Sequence, residues 1–473
     1  MSLFSWCYTC IREDSILYGT DRRREGMGKR QKTILMTEGN IWKQILWFSI
    51  PLILGNLLQQ MYNTMDSVIV GNFVGSDALA AVGASSSLLY LLIAFSTGAA
   101  TGAGVVVAQL YGAGDREKVQ DAVHTALGIA VVLGLILTVV GIAVSPQILV
   151  WMKTPEDIMD QSVEYLRVYF AGVVFNVIYN MAAGILNAVG NSKRSLMYLG
   201  VASFLNIGLD VFFIAVLKMG VAGAAIATDI CQLISSILIV GFLMRVPDKY
   251  QVTLRKIRIH RHMAARIIQI GLPSGIQNMV ISLSNVLVQT GVNGFGTNAV
   301  AGFSAYLKVD GFNILPVMSF SMAATTFTGQ NYGAGKKDRV KKGMWVTLAM
   351  SIIYTVVTGV LLLTFAKPII SIFTSDTEVI AYGVLATKYF CPFYFFLGIM
   401  HSLAGTVRGT GRTIPPMVIT LLALCVFRVI WVQFVVPGFE TIRGIYVVYP
   451  LSWFIGAVMM IVYTWKGRWR EEH

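Results

Sequence analysis

About twelve long apolar stretches, each closed off by a few polar residues, limit what this chain can become. They fall near 43–71, 79–110, 119–144, 159–187, 195–217, 221–244, 266–293, 299–329, 340–365, 380–405, 415–437 and 443–465. At about 1.5 Å of rise per residue, each can cross the ~30 Å hydrocarbon core of a bilayer as a helix. Lipid offers no partner to a bare peptide group, so apolar runs of this length are expected to be helical. Composition agrees: 55% of residues are hydrophobic, 13% are charged, and the mean hydropathy is +0.67. Soluble domains are roughly a quarter charged. The expected fold class is an all-α membrane protein with twelve transmembrane helices.

The formal net charge of +13 would suit a nucleic-acid partner in a soluble chain. Here, however, Lys and Arg lie between the apolar runs. They crowd the N-terminal tail, the 111–118 loop (Arg116, Lys118), NSKRS at 191–195, the 245–266 linker, GAGKKDRVKK, RGTGR and the terminal WKGRWR. The alternate loops NFVGSDA, TPEDIMD, NGFGTN and TSDTE are neutral or acidic. Basic loops stay on the cytoplasmic side, so both termini and the linker are expected in the cytoplasm of a multi-pass plasma-membrane protein. The bilayer is then the expected partner, and nucleic acid is not.

The five cysteines, Cys7, Cys10, Cys231, Cys391 and Cys425, are too scattered for a disulfide framework. SLFSWCYTCIREDSILYGT has no uninterrupted apolar core and DRRREGMGKRQK follows it, which argues against a cleaved signal peptide. Met36 opens a polar lead-in, MTEGNIWKQILW. Translation is therefore expected to begin at Met36 or Met27 instead of Met1, leaving residues 1–40 as a disordered extension.

The second global feature is an internal repeat. QLYGAGDREKVQDA at 109–122 matches QNYGAGKKDRVKKG at 330–343, an offset of 221. The same offset brings GILNAVGNSKRS (184–195) onto GTVRGTGRTIPP (405–416), and one residue of slip brings FSIPLILGN (48–56) onto IGLPSGIQN (270–278). The expected domains are an N-lobe at 41–245, a basic linker at 246–265, a C-lobe at 266–465 and a tail at 466–473. Six crossings per lobe make the repeat parallel, about an axis along the membrane normal. A substrate path between the lobes is the natural consequence.

Polar residues inside the apolar runs mark the working parts. The first run, SIPLILGNLLQQMYNTMDSVIVGN at 49–72, carries Pro51 near its start and Asp66 well inside it, with Gln59, Gln60, Asn63 and Thr64 on a polar side. Asn180 and Asn187 share a face of the fourth run; Asn206 and Asp210, four residues apart, share a face of the fifth. Thr228 and Asp229 lie in the sixth and, being adjacent, point to different faces. Desolvation penalises a charged carboxylate, and a proton or a hard cation bound by oxygens offsets that cost. Asp66 and Asp210 are thus candidates to load and release an ion, though a lone Asn or Asp in a membrane helix often only hydrogen-bonds a neighbour. The second half instead holds Lys308, Asp310, His401 and Arg428. Asp310 and Arg428 are expected to form an interhelical ion pair, structural or gating. Aromatic and Met residues, among them Met61, Tyr62, Phe303, Tyr306, Met318 and Tyr394, are read mostly as core, with a subset lining an adaptable cavity.

Together these features resemble the multidrug and toxic compound extrusion (MATE) transporters from about Gly39 to the C-terminus. The resemblance is carried by Pro51 with Asp66 fifteen residues on, the paired QLYGAG and QNYGAG blocks, ILNAVGNSK and TVRGTGRT, and the spacing of Asn206 and Asp210. It implies two six-helix bundles forming a V around a central cavity, and efflux of drugs or metabolites in exchange for H+ or Na+. It implies a cation- or proton-coupling site at Asp66, Asn180, Asn206, Asp210 and Thr228, with Asp66 and Asp210 as metal ligands if Na+ couples, and a first helix that bends at Pro51. The family's other pattern, a helix-7 glutamate with a helix-10 aspartate, is absent: Ile281 stands at the first position. Coupling is therefore expected in the first half. The expected substrates are lipophilic, often cationic compounds, with no cofactor beyond the coupling ion, and the expected state is a monomer.

Other classes fit less well. A flippase for a lipid-linked saccharide or peptidoglycan precursor would show a cationic cavity for pyrophosphate. A membrane-embedded enzyme needs clustered His, Asp or Cys, but His124, His260, His262, His401 and His473 are dispersed. No G-x-x-x-x-G-K-[ST] sequence supports ATP-driven pumping.

Overall fold

The structure is a computed structural model, and it describes residues 35–152, 154–439 and 441–467. Most of the stretch expected to be an extension, residues 1–34, lies outside the described residues. Among those described, the chain is helical throughout, without a strand.

The first half supplies six long helices: α1 (Ile41–Phe73), α2 (Ser76–Ala113), α3 (Arg116–Trp151), α4 (Glu156–Ala188), α5 (Ser192–Val216) and α6 (Gly220–Arg245). The second half supplies α7 (Arg261–Asn293), α8 (Thr297–Gly333), α9 (Lys337–Thr364), α10 (Thr377–Gly409), α11 (Ile414–Gly438) and α12 (Arg443–Trp465). Ten of these are long and apolar enough to span a bilayer. The other two, α7 and α8, are as long, at 33 and 37 residues, but more polar. Both form the wall between the lobes, and a helix facing protein can carry polar side chains that a lipid-facing one cannot.

Each half packs its own core. One set runs through α2, α3, α4 and α6, and another through α8, α10 and α12. The first helix of each half begins against the opposite half. Ile45, Phe48 and Leu52 of α1 pack with Ala323 and Phe327 of α8. Met263, Ile267 and Ile270 of α7 join the core of the first half. Farther along, Ile69 and Val70 of α1 return to their own lobe. Pro51 and Pro273 sit at the matching points of the two crossings. Helix α1 is continuous through Pro51 from Ile41 to Phe73.

The crossing reaches beyond the helix. The Met36 main-chain N–H donates to Gln330 Oε1 at 2.8 Å, and Arg339 donates to the Met36 and Gly39 carbonyls at 3.0 and 2.9 Å. Met36 is fully buried. Residues 36–39, expected to belong to a disordered extension, are instead ordered, because the segment is hydrogen-bonded to α8 and α9.

The lobes meet on the side where the linker lies. Gln109 donates to the Gly409 carbonyl at 2.9 Å, and its repeat counterpart Gln330 donates to the Ala188 carbonyl at 2.8 Å. The two bonds are reciprocal: each lobe's glutamine closes on the helix end of the other. Glycine makes this approach possible. A Cβ on Gly112 would lie 1.9 Å from the Gln330 carbonyl oxygen, and one on Gly333 would lie 1.8 Å from that of Gln109. Toward the far side, the hydrogen bonds between the lobes among the described residues end near the middle of the helices, at Asn56–Ser319 (3.0 Å) and Asn278–Thr97 (3.3 Å). The two bundles thus form a V, closed on the linker side.

Candidate functional site

Two polar regions lie close together in the fold. One is a cavity of about 310 Å³ at the base of the V. It is lined from both lobes by Asn56 and Gln59 of α1, Thr97 and Thr101 of α2, Asn180 and Asn187 of α4, Gln277 and Asn278 of α7, Met318 and Met322 of α8, and His401 and Arg408 of α10. Pro51 and Ile281 also line it. No carboxylate is among the described residues of its wall.

The acids occupy the second region, inside the N-lobe. Asp210 is fully buried at the point where α5 leaves α-helical geometry: Val211–Val216 winds as a π-helix. Such widened turns recur at functional positions. Asn206, one turn earlier and 2% exposed, approaches the Thr228 hydroxyl of α6 at 3.5 Å through its amide nitrogen. Asp66 of α1 lies close enough to Asp210 for the two carboxylates to interact electrostatically, and Tyr165 of α4 is within electrostatic reach of both.

Four oxygens in this cluster are buried without a hydrogen-bond partner among the described residues: Asp66 Oδ1, both oxygens of Asp210 and Asn206 Oδ1. Buried acceptors are rarely left so, because each forfeits its hydration. An all-oxygen set with two carboxylates suits a proton or a hard monovalent cation. Among the described residues no group of three or more His, Cys, Asp or Glu gathers in a metal-binding arrangement, so a thiolate or imidazole site for a softer metal is not offered.

Of the five residues expected at the coupling site, Asp66, Asn206, Asp210 and Thr228 gather here. Asn180 does not join their hydrogen bonds. Its amide donates to the Asn176 carbonyl at 2.9 Å and to Asn176 Oδ1 at 2.8 Å, and its side chain lines the cavity. Asp229 packs against Gly172 on another face, away from the cluster.

The expected Asp310–Arg428 ion pair is not formed. Asp310 accepts from the Tyr306 hydroxyl at 3.3 Å and from the Tyr394 hydroxyl. Arg428 donates to Ser452 Oγ at 3.0 Å and Asn285 Oδ1 at 3.2 Å, with its guanidinium 4.4 Å from the Tyr449 ring centroid. Each charge is satisfied by neutral neighbours, so neither needs the other in contact.

The sequence did not single out Tyr165, and it presented Arg408 as a loop charge within RGTGR. Arg408 in fact occupies the last turn of α10 and faces the cavity. Its repeat counterpart Asn187, a polar residue inside an apolar run, was the available signal.

The MatE family model matches residues 51–212 and 273–432, one copy in each lobe. Among similar proteins, "Probable multidrug resistance protein YpnP" of Bacillus subtilis is 29% identical, over 92% of this chain and 97% of its own length. "Probable multidrug resistance protein NorM" of Thermotoga maritima is 26% identical over 91% and 94%. A solved outward-facing structure of a multidrug resistance MATE transporter superposes with a TM-score of 0.86 at 23% identity, over 94% of this chain and all of that one. With its twelve-helix, two-lobed architecture, this chain belongs to the MATE family of efflux transporters. It is a multi-pass membrane protein.

Proposed function

We propose that this protein is a secondary antiporter that exports small organic compounds in exchange for H+ or Na+, with the ion bound at Asp66, Asn206, Asp210 and Thr228. One observation carries the reading: α1 holds both Asp66 and the wall of the cavity. Gln59 and Asp66 are seven residues apart, about 10 Å along the helix. Loading the N-lobe cluster relieves the repulsion between Asp66 and Asp210, letting α1 and α5 approach. The same movement displaces Asn56 and Gln59 in the cavity wall. Ion and substrate then compete through α1 and need not share a pocket.

On the positive-inside reading the linker side is cytoplasmic, and a state closed on that side faces outward. The ion enters from outside, substrate leaves, and the lobes rock about the α2–α7 contact. The lipophilic cations expected from the sequence would find no carboxylate on the described cavity wall.

The test is dye efflux from proteoliposomes under separately imposed pH and Na+ gradients. We expect one gradient to drive efflux and Asp66→Asn to abolish the response while the protein stays folded. Persistence of ion-driven efflux in Asp66→Asn would overturn the coupling assignment.

A further inference from the structure

The cavity wall carries a half-buried cation that the fold leaves incompletely satisfied. Arg408 is the one side chain of fixed charge on the described wall, and no carboxylate stands near it there. Its Nη2 donates to Gln277 Oε1 at a long 3.3 Å, and its Nε is buried with no partner among the described residues. No ion pair among the described residues involves it. A cation in the last turn of a helix gains from the helix dipole, but that leaves the Nε–H unfilled. A partly desolvated guanidinium without a counter-charge is costly, and its planar fork fits an oxyanion with two parallel hydrogen bonds. Around it lie neutral amides, the His401 ring, and Met318 and Met322 as an apolar wall that repacks readily.

We propose that the cavity takes organic anions: a carboxylate or other oxyanion on an apolar body, its charged end bound by Arg408, with the Asn278 amide beside it, while Gln277, which donates to the Thr420 hydroxyl at 2.9 Å, holds the guanidinium in place. This rests on reading the cavity as the substrate site of an exporter. Lipophilic cations would meet Arg408 with like charge at the floor. The acids of the N-lobe, outside the wall, stay free to handle the coupling ion.

The experiment measures binding of carboxyfluorescein and of ethidium to the full chain in phosphatidylcholine nanodiscs. Carboxyfluorescein should bind at least about tenfold more tightly. Arg408→Gln should lose about tenfold of that binding, and Arg408→Lys should lose less. Gln277→Glu keeps the guanidinium but gives it an internal partner, so it should weaken carboxyfluorescein binding even if Arg408→Gln folds poorly. Tighter binding of ethidium, or indifference of carboxyfluorescein to both Arg408→Gln and Gln277→Glu, overturns the proposal. Displacement of the dye by phosphatidylglycerol in the discs would make the anion a lipid headgroup and overturn the soluble ligand. Gradient-driven export of ethidium without binding of carboxyfluorescein would leave the exporter standing and sink the anion. Carboxyfluorescein binding without transport of either dye would do the reverse.

Discussion

The two lobes descend from one repeat, yet their interiors handle buried charge in opposite ways. Aligned from their first residues, α5 and α11 place Asn206 on Arg428. In the N-lobe, Asn206 and Asp210 keep unpartnered oxygens beside Asp66. In the C-lobe, Arg428 is held by Ser452, Asn285 and the Tyr449 ring, and Asp310 by two tyrosines. Both α5 and α11 wind into π geometry at these places, so the backbone device was kept in both. What differs is satisfaction. A group whose partners are all internal locks its lobe, whereas one with open acceptors can take up and release an ion.

That contrast is open to attack by mutation. The largest effect is expected at Arg428: Arg428→Gln strands groups arranged around a buried charge and should cost about 3 kcal/mol. Thermal unfolding in detergent would show it, with ion dependence of transport retained. Asp210→Asn should do the reverse, leaving the melting temperature unchanged or higher while abolishing the ion response. A destabilised Asp210→Asn with normal coupling would erase the distinction between the lobes.

A smaller effect tests what the lobes share. Gln109→Ala and Gln330→Ala each remove one reciprocal hydrogen bond and also the bond that the glutamine Oε1 accepts, from Arg266 and from the Met36 N–H respectively. At about 1 kcal/mol per bond, each reciprocal bond alone is roughly fivefold in the closed-to-open ratio of the linker side. Spin-label distances across that side should report equal shifts for the two variants. Strongly unequal shifts would show that the closure is not a symmetric latch. The smallest change is expected for Thr228→Val, which deletes the partner of a long 3.5 Å contact. It should alter the affinity for the coupling ion a few-fold in an ion-titrated efflux assay and leave stability within about 0.5 kcal/mol.

The sequence by itself determined the membrane architecture, because apolar length and period leave a chain in lipid few choices, and the repeat doubled that information. It also singled out Asp66 and Asp210, since a carboxylate inside an apolar run is too costly to be incidental, and Asn206 through its place one turn before Asp210. Only the tertiary structure decided which polar groups meet. The repeat offset pairs equivalent positions but says nothing about how two lobes cross. That crossing sends α1 into the C-lobe and α7 into the N-lobe, sets Gln109 on Gly409, and turns Asn180 toward the cavity. Charge in a basic cluster is likewise ambiguous in one dimension. Arg408 and Arg412 share the RGTGR motif, yet Arg408 lies within the last turn of α10, and the packing of α10 against α8 is what turns Arg408 inward.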